Sequence, residues 1–228
     1  MSKRLVVYCE GQTEEMVVER LFRPHLQTCG VTVARPVLAA TSLHPCGQRG
    51  GFVNWDAIQF DLRQVFASDA DRDLRFTTLL DVYAMPPRAL GLAGFSAPLT
   101  TIADVEAMER AIEGVFNEPR FTAYLQRHEF EALLLSDLDA LERVFHRHRP
   151  GLQQLRADLA GFANAEDINH GAATHPSARL ATAIVGYGDL KASNAFFVLA
   201  EAGLGTAKAR CPRFNAWLTR WEEWGAQP

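Results

Sequence analysis

The apolar positions change period along the chain, and the changes mark out alternating strands and helices. Leu5-Val-Val-Tyr-Cys9 is an unbroken apolar run, the pattern of a strand buried on both faces, and it stops at Glu10-Gly11. Thr13 then fits as the cap of a helix with Glu14 and Glu15 in its first turn. Val17, Leu21 and Phe22 mark the buried face of that helix, and Pro24 ends or kinks it. Val31 to Ala39 predicts a second strand, which Pro36 assigns to a sheet edge. The glycines and proline of Ser42 to Gly51 predict a loop, after which Trp55, Ile58, Leu62 and Val65 recur at helical spacing. Phe76 to Leu80 is the third strand, ending on Asp81 as the first ends on Glu10. Met85 to Pro98 reads as a long loop and Ile102 to Phe116 as a helix. Phe121 to Leu125 is a fourth strand, followed by Gln126-Arg-His128-Glu129-Phe-Glu131 and the apolar run Ala132 to Leu135. Short helices are predicted near Leu138 to Phe145, Leu152 to Phe162, Ser177 to Ile184, Asn194 to Ala202 and Phe214 to Trp224.

Parallel neighbours need crossover helices, so this alternation predicts an α/β fold, a mostly parallel sheet flanked by helices with a helical C-terminal third. A single domain is expected, with residues 1–136 as the α/β core and 137–228 as a helical extension packed on it. In such sheets ligands sit beyond the carboxyl ends of the strands. Glu10, Asp81 and the acids after the fourth strand are all expected there.

Composition narrows the function classes. The chain has 228 residues, 48% of them hydrophobic, enough for one substantial core. Its net charge of −4 gives no global basic field for nucleic acid or anionic membranes, so any such contact needs a local patch. Cys9, Cys29, Cys46 and Cys211 form no C-x-x-C pair and are too sparse for a disulfide framework, which fits a reducing cytoplasm. No run approaches the ~20 apolar residues of a membrane span, and the short run after Met1 does not suit a signal peptide.

Two carboxylates converging from separate strand ends repel unless they share a proton or a cation, and Mg²⁺ prefers such hard oxygen ligands. That makes Glu10 and Asp81 a candidate divalent-metal pair. The competing reading is that strand-end acids cap turns and helix N-termini, which suits Glu14 and Glu15 well. His170 and His175, near Asn169 and Ser177, are close enough in sequence to those residues to be considered for the same crevice, although a loop histidine is more often just a polar contact. No G-x-S-x-G elbow is present for a serine nucleophile. Gly47-Gln-Arg-Gly-Gly51 is a weak hint of a phosphate cradle, since it lacks the G-x-x-x-x-G-K-[ST] pattern. Trp217, Trp221 and Trp224 recur at helical spacing, as in a packing face or a homo-oligomer contact.

Tyr8-Cys-Glu10-Gly-Gln-Thr-Glu14 resembles the V-E-G-x-T-E opening of Toprim-like domains, the fold of topoisomerases, primases and overcoming-lysogenization-defect nucleases. Several further segments resemble a Toprim-like family of unknown function, domain of unknown function 4276. They are Leu80-Asp81-Val-Tyr83-Ala-Met-Pro86, Arg127-His128-Glu129-Phe-Glu131-Ala-Leu-Leu134, Glu166-Asp-Ile-Asn169, Pro176-Ser177-Ala-Arg179 and Arg210-Cys-Pro-Arg213-Phe-Asn215-Ala-Trp217-Leu. The resemblance implies a nuclease dependent on Mg²⁺ or Mn²⁺. Glu10 would then be the acid/base or metal-binding glutamate, and Asp81 the first aspartate of a D-x-D motif. Tyr83 stands where that motif has its second aspartate, and a phenol with a pKa near ~10 does not replace a carboxylate at neutral pH. Glu129 is the candidate third acid, with Glu131 facing solvent, supporting His128 or serving as the alternative acid; the competing reading is that a Glu-x-Glu pair at a helix start serves the macrodipole. A phosphodiester substrate also needs cations, and Arg179, Lys191, Lys208, Arg210 and Arg213 gather in the C-terminal third. Among them Lys191 is the candidate for stabilising charge at the scissile phosphate. Related Toprim modules work with an ATPase, so the implied partners are nucleic acid and a separately encoded ATPase. Two other functions stay open: a non-catalytic binding module, and the same chemistry on a small phosphorylated molecule.

Overall fold

The computed structural model describes residues 3–39, 55–83, 85, 87–95, 101–168, 171 and 173–227. The predicted loop Ser42 to Gly51, with its glycines and Cys46, lies outside them, as do Asn169 and His170. The chain divides into two compact units, one of Met1–Leu125 with Trp221–Pro228 and one of Gln126–Arg220.

The first unit is built on a parallel sheet. β1 (Lys3–Cys9) leads into α1 (Gln12–Val17), a π-helical turn (Val18–Phe22) and α2 (Arg23–Thr28). β2 (Val31–Val33) and β3 (Val37–Leu38) follow, then α3 (Trp55–Ala67), β4 (Leu74–Asp81), α4 (Pro87–Leu92), α5 (Ile102–Phe116), β5 (Phe121–Thr122) and β6 (Leu125–Gln126). The strand order is β2-β1-β4-β5, with β3 also on β1 and β6 also on β4. β1 pairs in parallel with β2, β3 and β4, and β4 with β5, so the central strands are the two continuous apolar runs.

Several local expectations are corrected. Gly11, not Thr13, is the N-cap of α1, and Glu14 turns back to accept the Gly11 N–H at 2.9 Å. Pro24 does not end the helix: the helical run continues through it, with the π-helical turn (Val18–Phe22) immediately before α2, and stops at Gly30, whose φ is +89°. The predicted strand Val31 to Ala39 is two short strands either side of Arg35-Pro36, because proline cannot donate to the ladder. α4 interrupts the predicted Met85 to Pro98 loop, burying Ala89 and Leu90 in the core. The fourth strand is split into β5 and β6 because Thr78 Oγ1 both donates to Tyr124 O and accepts from Tyr124 N at 2.8 Å, taking the place of a backbone partner. On α5, Glu113 and Glu109 are one turn apart and accept the alternate N–H groups of Ala123 and Leu125 at 3.0 and 2.8 Å, which satisfies this edge. Phe66, Phe76, Phe116 and Phe121 meet in the core at centroid distances of 5.0 to 5.5 Å.

The second unit is helical. After a 3₁₀ segment (Phe130–Ser136) come α6 (Leu138–Val144), α7 (Arg149–Leu159), α8 (Pro176–Ala183), α9 (Lys191–Ala202), α10 (Leu204–Arg210) and α11 (Pro212–Ala226), whose residues from Trp221 on belong to the first unit. The sequence pattern missed α10, which is a short helix set off by Gly203 and Cys211 in which Ala207 alone is buried, too little to make a periodic apolar face. The run Phe130 to Ser136 is wholly buried, so its apolar residues carry no face-to-face periodicity to read. Trp217 and Trp221 are buried, the packing role expected of them.

Candidate functional site

In the first unit, β1 and β4 bring Glu10 and Asp81 together. Glu10 N–H donates to Leu79 O at 3.2 Å, the last backbone rung between the two strands. A continuing parallel ladder would give the Asp81 N–H to the Glu10 carbonyl. The Glu10 side chain takes it instead, Oε2 accepting from Asp81 N at 3.0 Å. Two carboxylate-bearing residues thus stand together at the carboxyl ends of adjacent central strands, both half-buried. Glu14 is buried beside them in sequence, held by the Gly11 amide. Tyr83 lies just past Asp81, in a turn closed by Met85 N to Val82 O at 3.2 Å.

The donor set suits Mg²⁺, which commonly takes one or two carboxylates and completes its shell with water and substrate phosphate. Among the described residues, no group of three or more His, Cys, Asp or Glu side chains forms a cation site. A pair, not an all-protein cage, is what the strand ends offer.

In the second unit the chain turns at His128, whose φ of +65° puts it in the left-handed region. Glu129 follows and is buried. Its Oε2 accepts from Ser177 N at 2.8 Å and meets His175 Nδ1 at 3.0 Å, and its Oε1 accepts from Ser177 Oγ at 3.0 Å. This places a carboxylate on the N-terminus of α8, where the macrodipole stabilises it. Ser177 Oγ, His175 and Glu129 do contact each other, yet Ser177 Oγ and Glu129 both meet the same ring nitrogen, with Ser177 Oγ at 3.1 Å from Nδ1. A serine triad needs the hydroxyl and the carboxylate on opposite ring nitrogens.

Glu131 is 0% exposed, and its Oε1 pairs with Lys191 Nζ at 2.7 Å. Burial pushes its carboxyl above the usual range, and the Lys191 ammonium only partly opposes this. Arg127 pairs with Asp167. Arg179 Nε donates to Thr174 O at 2.6 Å and Arg210 to Phe162 O at 3.2 Å. Lys208 and Arg213 also belong to this unit, on α10 and α11.

Sequence reasoning gave Glu166 no role, although it stands in one of the segments of family resemblance. Buried at 1% exposure, it accepts from Arg213 N at 2.8 Å and Phe214 N at 3.1 Å, capping α11. Burial raises its carboxyl despite those two bonds. The sequence signal was weak: a cap usually lies next to its helix, and this one is borrowed from a distant segment.

The fold and these sites define an α/β protein with a parallel sheet and a carboxylate pair at its strand ends. The chain belongs to the family described as Domain of unknown function (DUF4276), which it matches over residues 9–222. No curated protein matches it, and no solved structure does. Among the described residues, no helix is long and apolar enough to cross a membrane.

Proposed function

We propose that this protein is a phosphodiester-cleaving enzyme of Toprim-like type that depends on Mg²⁺ or Mn²⁺, with Glu10 and Asp81 as the residues that hold the cation. The observation that carries the reading is the strand-end pair, with the Asp81 amide bound to Glu10 Oε2 at 3.0 Å. A bound divalent ion supplies charge neutralisation on the phosphate and makes a bound water more acidic. Glu10 and Asp81 supply hard oxygen donors on the two central strands, so the site is held by the most extensively paired part of the sheet. The Asp81 amide fixes the Glu10 carboxylate in orientation before any ligand arrives. The family resemblance at Glu10-Gly-Gln-Thr-Glu14 and Asp81-Val-Tyr83 supports the same roles. On that resemblance, the protein works beside a separately encoded ATPase against foreign nucleic acid, and the sparse cysteines support a cytoplasmic setting for it.

A second reading, the same chemistry on a small phosphorylated molecule, is favoured by the net charge of −4 and by the engagement of Lys191 with Glu131. The test is cleavage of DNA, RNA and a small phosphodiester with Mg²⁺ or Mn²⁺ by wild type, Glu10→Ala and Asp81→Ala, alongside calorimetry of Mg²⁺. Metal-dependent cleavage lost in both variants supports the enzyme. Cleavage undiminished in both, or a wild type that neither cleaves nor binds Mg²⁺, overturns it.

A further inference from the structure

We propose that Tyr83 is the surface on which the substrate stacks an unpaired base, so that the strand-end site takes single-stranded nucleic acid in preference to duplex. The proposal rests on the phosphodiester reading above and names its substrate class. Tyr83 follows Asp81 by two residues, at the corner of the turn closed by Met85 N to Val82 O. Its neighbours Val82 and Met85 are each 6% exposed and anchor the turn in the core, while Tyr83 is 46% exposed. Val82 beside it and Met85 two residues on are buried, which fixes where the backbone of the turn presents Tyr83.

Isolated exposed apolar residues are ordinary on protein surfaces. Among the described residues, the other large exposed ones are Phe60, Leu92 and Ile102 on helices of the first unit and Val185, Leu190 and Phe197 in the second. Tyr83 differs by standing next to a candidate cation ligand.

The charge balance leads the same way. With a net charge of −4 and two acids at the site itself, the protein has little general attraction for phosphates. Affinity for a nucleic-acid strand then gains from a contact that does not depend on charge. Base–aromatic stacking is such a contact, tolerant of sequence and worth roughly 5- to 150-fold in affinity per base. A base within a duplex is already paired and stacked, and can offer its face only after being flipped out. That is the physical reason for the single-strand preference, and it also implies a shallow dependence of binding on salt.

The test measures binding of fluorescent short oligonucleotides in Ca²⁺, with cleavage in Mg²⁺ run in parallel. The substrates are one single strand, its duplex, and the strand with an abasic site moved stepwise along it. Tyr83→Ala is expected to weaken single-strand binding roughly 5- to 150-fold with the fold retained by circular dichroism, and Tyr83→Phe to restore it, since the ring and not the hydroxyl is used. One abasic position should weaken wild type by a similar factor and add nothing in Tyr83→Ala, because both changes remove the same contact. If wild type cleaves the strand but Tyr83→Ala binds it unchanged, or the abasic penalty is equal in both proteins, or duplex is preferred, the stacking role is overturned while the phosphodiester reading stands. If wild type neither binds nor cleaves any strand, both fall together.

Discussion

The two units use the same side chain, a carboxylate at the end of a segment, in opposite ways. In the first, Glu10 and Asp81 stand half-buried at strand ends, where one carboxylate orients against the other residue's amide. In the second, Glu129 and Glu166 are buried and spend their oxygens on the N-termini of α8 and α11, while Glu131 is sealed against Lys191. The difference teaches that an acid at the start or end of an element is not informative by itself. What marks Glu129 and Glu166 as caps is that the backbone N–H groups they meet belong to a helix start, whose first N–H groups have no intrahelical acceptor.

The comparison breaks most sharply in activity. Glu10→Ala and Asp81→Ala are each expected to lower metal-dependent turnover by at least about 100-fold. Glu10→Ala should cost only about 1 kcal/mol of stability, for one lost hydrogen bond. Cleavage kinetics beside chemical denaturation separate the two effects. Loss of folding in step with activity would make the strand-end pair structural, like its counterparts in the second unit.

Glu166→Ala should do the reverse. It strips two buried N–H groups of their acceptor at the start of α11 and is expected to cost about 2 kcal/mol, seen as a lower denaturation midpoint. Glu129→Gln keeps a carbonyl for Ser177 but loses the charge that strengthens its bonds, for about 1 kcal/mol. Turnover abolished in that variant at unchanged stability would instead show a catalytic carboxylate there.

The smallest change, and the one of opposite sign, is Glu131→Gln. Burial holds the Glu131 carboxyl above its unfolded range, so the folded chain keeps this proton over a pH window in which the unfolded chain has released it. Stability contributed by the neutral acid is therefore complete below the unfolded pKa and is lost as pH rises through the raised folded pKa. Glutamine has no such loss, and the half-exposed Lys191 is free to turn to water. The variant should match wild type under acid conditions and gain on it towards neutral pH, in denaturation curves taken across that range. A variant less stable at neutral pH would mean that the ion pair outweighs the buried charge.

Much of the fold was legible because strand and helix periods are local properties. Leu5 to Cys9, Phe76 to Leu80 and Ile102 to Phe116 announce their elements without reference to anything else. The ends of β1 and β4 were legible too, since an acid that stops an apolar run stops it wherever the run folds. What tertiary structure alone decided is who meets whom. The split of the fourth strand depends on a hydroxyl of Thr78, many residues away in sequence, standing in for backbone. The capping of α11 depends on Glu166 arriving from a separate segment, and that of α8 on Glu129. A charge in the sequence reads the same whether it ends against a helix start, a lysine or a neighbouring strand. Only packing determines which backbone groups lack partners, and so which acids are taken up by the fold and which stay at the strand ends.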